Sequence, residues 1–361
     1  MAVPKHLMDF YTKICQAKSP EEVFGELNGG NPLDSLKKVY HTHSFACHPD
    51  HYAMDEEAYV YAGETFKALT ELFNEALKKV DSGTYGKADA PSLSTSLFDM
   101  KTRKGLYRVY KHTHKGDYAD IYYAEKVDKD GVMTDKVCLK VINDASDNLL
   151  ISNEIEVMKK VPHKSLPVYL DRFKTKDEQE AIIMRYIEGF DFVTVRSAFP
   201  YGVPQEHLGW IMERALSVLG FMHYNKILHC NIEPGNLIVR PNDHNCFLID
   251  FLFSIINPTK KSRFQVRTEG FSPPEVSKKN RPTYASDLYS LGKCFLYVAG
   301  GNLDNNWLPT TIDRRIRNFI LRFVHEDPEK RAGDAWRAYH ELRDLRTNVF
   351  GPRVFREFKV V

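Results

Sequence analysis

Residues 227–252 read I-L-H-C-N-I-E-P-G-N-L-I-V-R-P-N-D-H-N-C-F-L-I-D-F-L. Two short apolar runs, 237–239 and 247–249, flank a Pro-Asn-Asp-His-Asn turn, which predicts a β-hairpin. A polar loop holding His229, Asn231, Glu233 and Asn236 precedes the hairpin, and Asp250 closes its second strand. Polar side chains gathered at the ends of buried strands predict a ligand or metal site.

This layout resembles the catalytic and metal-binding loops of protein kinases, H-R-D-x-K-x-x-N and D-F-G. The resemblance implies a scaffolding role for His229 and makes Asn236 and Asp250 the Mg²⁺ ligands, hard oxygen donors suited to an ion that bridges phosphates. The departures carry as much information. Cys230 replaces arginine, Asn231 stands at the catalytic base, Glu233 stands at the loop lysine, and Leu252 replaces glycine. An amide positions a hydroxyl but does not take its proton, and general-base help is worth about 10²–10⁴ in rate. A carboxylate in place of an ammonium beside phosphate costs about 4 kcal/mol per charge pair at close range. Leu252 has less backbone freedom than glycine, which predicts a fixed loop.

Working outward, H-T-H-K-G-D-Y-A-D-I-Y sits where the family has its phosphate-covering loop, with Gly116 the one glycine kept. V-C-L-K places Lys140 on an apolar strand, where a lysine is rarely left without a partner. Glu154, in S-N-E-I-E-V-M, takes the position of the helix glutamate that pairs with it. A-I-I-M-R-Y-I-E-G resembles the inter-lobe hinge, with Met184 as gatekeeper and the backbone of Arg185, Tyr186 and Ile187 facing an adenine. On the other side, T-E-G-F-S-P-P-E puts Glu275 at the end of an activation segment, and H-E-D-P-E-K-R supplies Arg331 as its buried partner. Asp287, in S-D-L-Y-S-L-G, opens the central helix of the large lobe. Together the resemblance spans about residues 105–345 and implies a small β-rich lobe followed by a helical one. Thr268 sits near the catalytic loop, and Lys260, Lys261, Arg263 and Arg267 form a basic stretch before it. The tail V-F-G-P-R-V-F-R-E-F-K-V-V alternates aromatic and basic residues, consistent with packing on the large lobe or binding a partner.

Residues 1–80 carry apolar positions at helical spacing, over 8–17, 36–47 and 58–80, with Ser19-Pro20-Glu21-Glu22 as a helix start. His48-Pro49-Asp50 separates the last two, because proline cannot continue a helix. L-K-K-V-Y before the tripeptide and F-K-A-L-T-E-L-F-N-E-A after it resemble a J-domain, which implies contact with a DnaK-type chaperone through His48, Pro49, Asp50, Lys37 and Lys38. The family's basic run is thin here, since His41 and His43 are mostly neutral at pH 7 at their ordinary pKa. Between the two regions D-S-G-T-Y-G-K-A-D-A-P-S-L-S-T-S reads as a flexible linker.

The 43% hydrophobic content indicates ordinary globular cores, and a net charge of +2 argues neither for nucleic acid nor for a membrane surface. Six scattered cysteines without a C-x-x-C pair point to a reducing compartment. The first residues hold no signal-like run, and nothing approaches ~18 apolar residues in a row. The sequence thus predicts a cytoplasmic α+β protein: a J-like helical domain (1–82), a linker (83–104), and a bilobal kinase-like fold with its small lobe at 105–189 and its large lobe at 190–361. The expected function is regulatory, a pseudokinase that binds ATP and Mg²⁺ with little or no transfer. The alternatives are an active atypical serine/threonine kinase or nucleotidyl transferase, and a co-chaperone or scaffold with an empty cleft.

Overall fold

Proline and asparagine set the helix starts of the N-terminal unit. The computed structural model describes residues 3–17, 19–27, 31–52, 56–81, 85, 96–352 and 354–360, and two units, 1–93 and 94–361, are each considered alone. The first contains α1 (Lys5–Gln16), α2 (Pro20–Phe24), α3 (Pro32–Ala46) and α4 (Glu56–Asp81). Helix α3 begins before the apolar run read from the sequence, because the Asn31 side chain accepts from the Leu33 amide at 3.0 Å and Pro32 supplies the first turn. Pro49–Tyr52 form a single 3₁₀ turn between α3 and α4. Leu7, Ile14, Phe24, Leu36, Leu69 and Ala76 fill the core, and Tyr40 stacks on Phe73 at 4.0 Å.

The second unit opens with a six-stranded antiparallel sheet in the order β1-β2-β3-β4-β6-β5. Its strands are β1 (Phe98–Thr102), β2 (Gly105–Lys115), β3 (Ala119–Val127), β4 (Met133–Ile142), β5 (Tyr169–Lys174) and β6 (Glu180–Arg185), with α5 (Asn148–Lys160) between β4 and β5. Of the expected linker 83–104, residues 83, 84 and 86–95 lie outside the described residues, and 98–102 correct the expectation. They form β1, paired with β2 and held by the Thr102 hydroxyl donating to Asp171 at 2.6 Å. Strand β5 also departs from the sequence expectation, because the adjacent charges Asp171 and Arg172 break the apolar alternation in Y-L-D-R-F-K.

Gly189 leads out of this sheet with φ +155°, where a Cβ would lie 2.5 Å from the Val239 carbonyl, so only glycine lets the chain cross so near that carbonyl. Then follow β7 (Phe190–Asp191), α6 (Phe192–Ala198), α7 (Gln205–Tyr224), β8 (Ile227–Leu228), β9 (Leu237–Arg240), β10 (Asn245–Leu248), β11 (Ile255–Ile256), α8 (Pro274–Ser277), α9 (Tyr284–Val298), α10 (Arg314–Leu321) and α11 (Ala335–Phe350). β9 and β10 are the predicted hairpin, with Cys246 opposite Val239. Its second strand ends at Leu248, so Asp250 stands beyond the strand and not at its end. The tail packs back on the helices: Phe358 is 4% exposed, stacked on Phe199 at 5.3 Å, while the His244 ring donates to the Arg356 carbonyl at 2.7 Å. Among the described residues no helix is long and apolar enough to cross a membrane.

Glu275 and Arg331 meet as read from the sequence, in two bonds of 2.6 and 2.8 Å. The Arg331 side chain is fully buried. Burial pushes the Glu275 carboxyl up, but hydrogen bonds from Arg331 and Ser286 outweigh it and leave it below the ordinary 4.5. A carboxyl lowered by folding lends stability above its unfolded value and loses it as pH falls through the folded one. Arg331→Met is therefore expected to lose about 3–5 kcal/mol in urea unfolding at neutral pH, by stranding a buried carboxylate. The wild-type pair should weaken only below pH 4.5.

Candidate functional site

Strand β4 carries Lys140 inward, and register explains why. Cys138 pairs with Met184 and Lys140 with Ile182, so these four side chains share one face of the sheet. The Lys140 ammonium donates to Glu154 at 2.7 Å and to Asp250 at 2.6 Å. Lys140 and Glu154 are 4% and 1% exposed. Burial alone would lower the lysine, yet the two carboxylates hold it above its ordinary value. One ammonium cannot neutralise both. Asp250 is pushed up by burial but ends lower because of Lys140, whereas burial keeps Glu154 raised despite the same lysine. Lys140 thus bridges both carboxylates, and the other Glu154 oxygen accepts from the Phe251 amide at 3.2 Å.

Asp250 adopts a left-handed backbone, φ +66°. Leu252 does not, so the glycine missing from that position leaves no strain there; the loop's unusual backbone lies two residues earlier. Leu252 is instead 3% exposed and packed in the core. Asn153, a residue the sequence reading passed over, fixes the same segment by donating to the carbonyls of Phe251, Leu252 and Ser254 at 3.1, 3.1 and 2.9 Å. Its only signal was a second polar residue directly before Glu154.

In the polar loop, Asp287 accepts from the amides of His229 and Cys230 at 2.8 and 2.9 Å and meets His223 at 3.0 Å. Cys230 has φ +64°, a conformation costly for a residue with a Cβ and sustained by those bonds. The His229 Nδ1 accepts from the Asn231 amide at 3.2 Å, so Nε2 carries the proton donated to Ile249 at 3.0 Å. That ring is neutral, its pKa lowered by burial. Asn236 donates its amide nitrogen to the Asn231 carbonyl at 2.9 Å. Its Oδ1, and the Asp250 oxygen turned from Lys140, accept no protein hydrogen bond among the described residues. Two hard oxygens with lone pairs to spare fit Mg²⁺. No group of three or more histidine, cysteine or acidic residues that could hold a metal occurs among the described residues.

Asn231 accepts from the Thr268 hydroxyl at 3.3 Å through Oδ1, which leaves its NH₂, a donor, for anything entering beside it. Glu233 is half-buried. Burial raises its carboxyl, Thr268 opposes, and Asp250 raises it further. Above them, Gly116 closes the β2–β3 tip: its amide donates to the Ala119 carbonyl at 3.2 Å, and a Cβ would sit 2.6 Å from that oxygen. Tyr118 at the tip meets Phe253 edge-on at 4.9 Å. At the expected hinge, Met184 is buried. The Arg185 and Tyr186 amides donate to Val168 at 2.9 Å and Lys136 at 3.1 Å, which leaves their carbonyls as the groups that could face a ligand. Ile187 alone of the three has an amide with no protein acceptor among the described residues.

The sequence model of the protein kinase domain matches residues 107–303. The chain belongs to the protein kinase domain family. This kinase domain is 33% identical over 153 residues to "Serine/threonine-protein kinase B" of Synechocystis sp., covering 38% of this chain and 26% of the relative. It is 30% identical over 212 residues to "Dual specificity protein kinase zak2" of Dictyostelium discoideum, covering 55% and 31%. "Serine/threonine-protein kinase D" of Synechocystis sp. is 24% identical over 271 residues, covering 66% and 52%. The matches therefore span about a quarter to a half of these relatives. The family generally binds ATP and Mg²⁺.

His48, Pro49, Asp50, Lys37 and Lys38 belong to the first unit. His48 Nδ1 accepts from the Asp50 amide at 3.3 Å. Lys37 and Lys38 line a shallow surface depression with Asp34, His41, Thr42 and Phe45, and Phe45 is 72% exposed.

Because Asp287 satisfies two amides of the polar loop, Asp287→Ala should destabilise the protein by about 2–4 kcal/mol in chemical denaturation. Asp287→Asn, which keeps one acceptor, should lose less.

Proposed function

We propose that the kinase domain holds ATP with Mg²⁺ but transfers phosphate slowly or not at all, and that it serves as a regulatory or scaffolding module in the cytoplasm. The observation that carries this reading is the divided state of the site. The Lys140–Glu154–Asp250 cluster is assembled, while the base position holds an amide whose oxygen already accepts from Thr268. When bound, Mg²⁺ would neutralise phosphate charge between Asn236 and Asp250. Lys140 would reach the phosphates, Glu154 would orient Lys140, and Gly116 would bring the loop backbone near them. Met184 and the Ile187 backbone would face the adenine. His229 keeps the loop in place, and Asn231, an amide, is too weak a base to take a proton. Glu275, Asp287 and Arg331 act through the fold.

We further infer that the N-terminal unit is J-like and recruits a DnaK-type chaperone through His48-Pro49-Asp50, with Lys37, Lys38 and the exposed Phe45 beside them. Adding Mg·ATP at 100 times its Kd should stabilise the protein by ~2.7 kcal/mol in a thermal-shift titration, and Lys140→Ala should abolish the shift. A shift that is absent, or that survives in Lys140→Ala, contradicts the nucleotide reading. The protein should also stimulate the ATPase of a DnaK-type chaperone, and His48→Gln should remove that stimulation.

The relatives' names favour a second reading, an active atypical serine/threonine kinase or nucleotidyl transferase. Loose phosphoryl transfer depends on positioning more than on a base, and Glu233 places a carboxylate next to Asn231. Transfer of label from γ- or α-labelled ATP, abolished by Asp250→Ala, decides for it. A scaffold with an empty cleft would give neither label transfer nor a nucleotide shift.

A further inference from the structure

Residues 354–360 lie on the large lobe as a strap, and two histidines that the cleft does not use sit beneath it. Residues 354–357 and 359 are exposed, whereas Phe358 is buried at 4% exposure. Its ring lies nearly parallel to Phe199 at 5.3 Å, against His207 at 4.8 Å and edge-on to Trp210 at 5.8 Å. Three residues earlier, Phe355 covers one face of the His244 ring at 4.3 Å, and Trp210 covers the other at 4.3 Å. The His244 Nε2 donates to the Arg356 carbonyl at 2.7 Å, and Val360 packs against the core. Among the described residues no main-chain N–H of 354–360 reaches a main-chain acceptor, so side-chain contacts and that one bond hold the strap.

Hydrogen-bond chemistry decides which charge state this seat accepts. The Trp210 Nε1–H donates to the His207 Nδ1 at 3.1 Å, and an indole nitrogen is a donor only. His207 must therefore keep a lone pair on Nδ1 and its proton on Nε2. An imidazolium there would set donor against donor beneath Phe358. The charged groups around the two rings also oppose protonation on balance. His207 faces His244 and Arg356, against Glu206. His244 faces Arg214 and Arg346, against Asp243. Burial is the largest cause in both cases, and it holds both rings below the ordinary 6.5. The face of Trp210 favours a charged His244, but neither residue belongs to the strap, so that contact is the same with the strap on or off. The rings of Phe355 and Phe358 favour a charged histidine more weakly than a tryptophan does, and neither supplies the acceptor that a second ring N–H needs. Rings held low by docking take up protons on release. Docking is therefore strongest above 6.5 and weakens as pH falls below it.

We propose that residues 354–360 form an acid-released strap: His207 and His244 latch it to the large lobe at neutral pH, and protonation of either ring lifts Phe355 and Phe358 from their seat. Release uncovers Phe199, His207 and Trp210, an aromatic surface that the strap otherwise closes. Each ring kept neutral by docking contributes at most about tenfold to the loss of docking between about pH 7.5 and about pH 5.5, because a free ring at 6.5 passes from mostly neutral to mostly charged over that span. Release needs neither nucleotide nor phosphate transfer, so the device stands or falls apart from the reading of the cleft.

Trypsin cleavage after Arg356 is the test, since a protease needs several residues on each side extended and off the seat. The rate in the full chain, divided by that of a free peptide of residues 350–361 under the same conditions, reads the open fraction. From about pH 7.5 to about pH 5.5 that ratio should rise about three- to a hundredfold, with cleavage inside α11 unchanged. His207→Asn/His244→Asn should hold the ratio within about twofold over the same span. Asparagine does not titrate, keeps an acceptor near the Nδ1 position and suits the left-handed backbone of residue 244, φ +48°. A rise of less than about threefold in the unaltered chain, or an equal rise in the variant, would overturn the proposal. Ring NMR titration of His207 gives an arm that stands even if the asparagine variant does not seat the strap. Phe358→Ala should move the His207 midpoint up toward 6.5, and an unmoved midpoint would overturn the latch.

Discussion

One buried ammonium shared by two carboxylates ties this kinase domain together. Lys140 comes from strand β4, Glu154 from helix α5 and Asp250 from the loop beyond β10, so the cluster joins the sheet, its helix and the hairpin of the large lobe. Such a cluster is costly to bury, and removing one partner is costlier than never having formed it. Because two carboxylates compete for one cation, the site carries surplus negative charge. A divalent ion would offset that surplus, and Asn236 and Asp250 keep oxygens that accept no protein hydrogen bond among the described residues.

Holding and reacting are separate tasks in the neighbouring loop, and they are supported by different bonds. Asp287 fixes the backbone of His229 and Cys230 without reference to what stands at 231. The loop can therefore keep its shape while Asn231 and Glu233 change what it offers to a substrate. The Asn231 amide accepts from Thr268 and the Glu233 carboxyl is raised by burial, while the bonds that hold the loop backbone come from elsewhere.

Much of this was legible in the sequence because it depends on spacing. The Lys140, Glu154 and Asp250 set, the Glu275–Arg331 pair and the β9–β10 hairpin all follow from residue types at fixed intervals. What escaped the sequence depends on tertiary partners. Strand β1 is exposed and polar, and it exists only because β2 offers an edge. Asn153 is unremarkable in composition, and its three bonds appear only once the chain returns ninety-eight or more positions later. Nor can sequence tell which backbone groups of the hinge the sheet will consume, as it does the amides of Arg185 and Tyr186. The sequence reading of Leu252 as a stiffening residue looked at its own backbone, whereas the left-handed conformation falls on Asp250.

Leu252 has a further consequence for the ensemble. Glycine at that position would let the segment sample several backbone states of similar energy. A leucine buried to 3% exposure, beside a fully buried Phe251 and three carbonyls bound by Asn153, cannot turn over without emptying its own pocket. Losing a buried leucine's packing costs about 2–5 kcal/mol, enough to make an inverted arrangement a rare excursion instead of a second resting state. The segment that carries Asp250 is therefore built with one resting conformation.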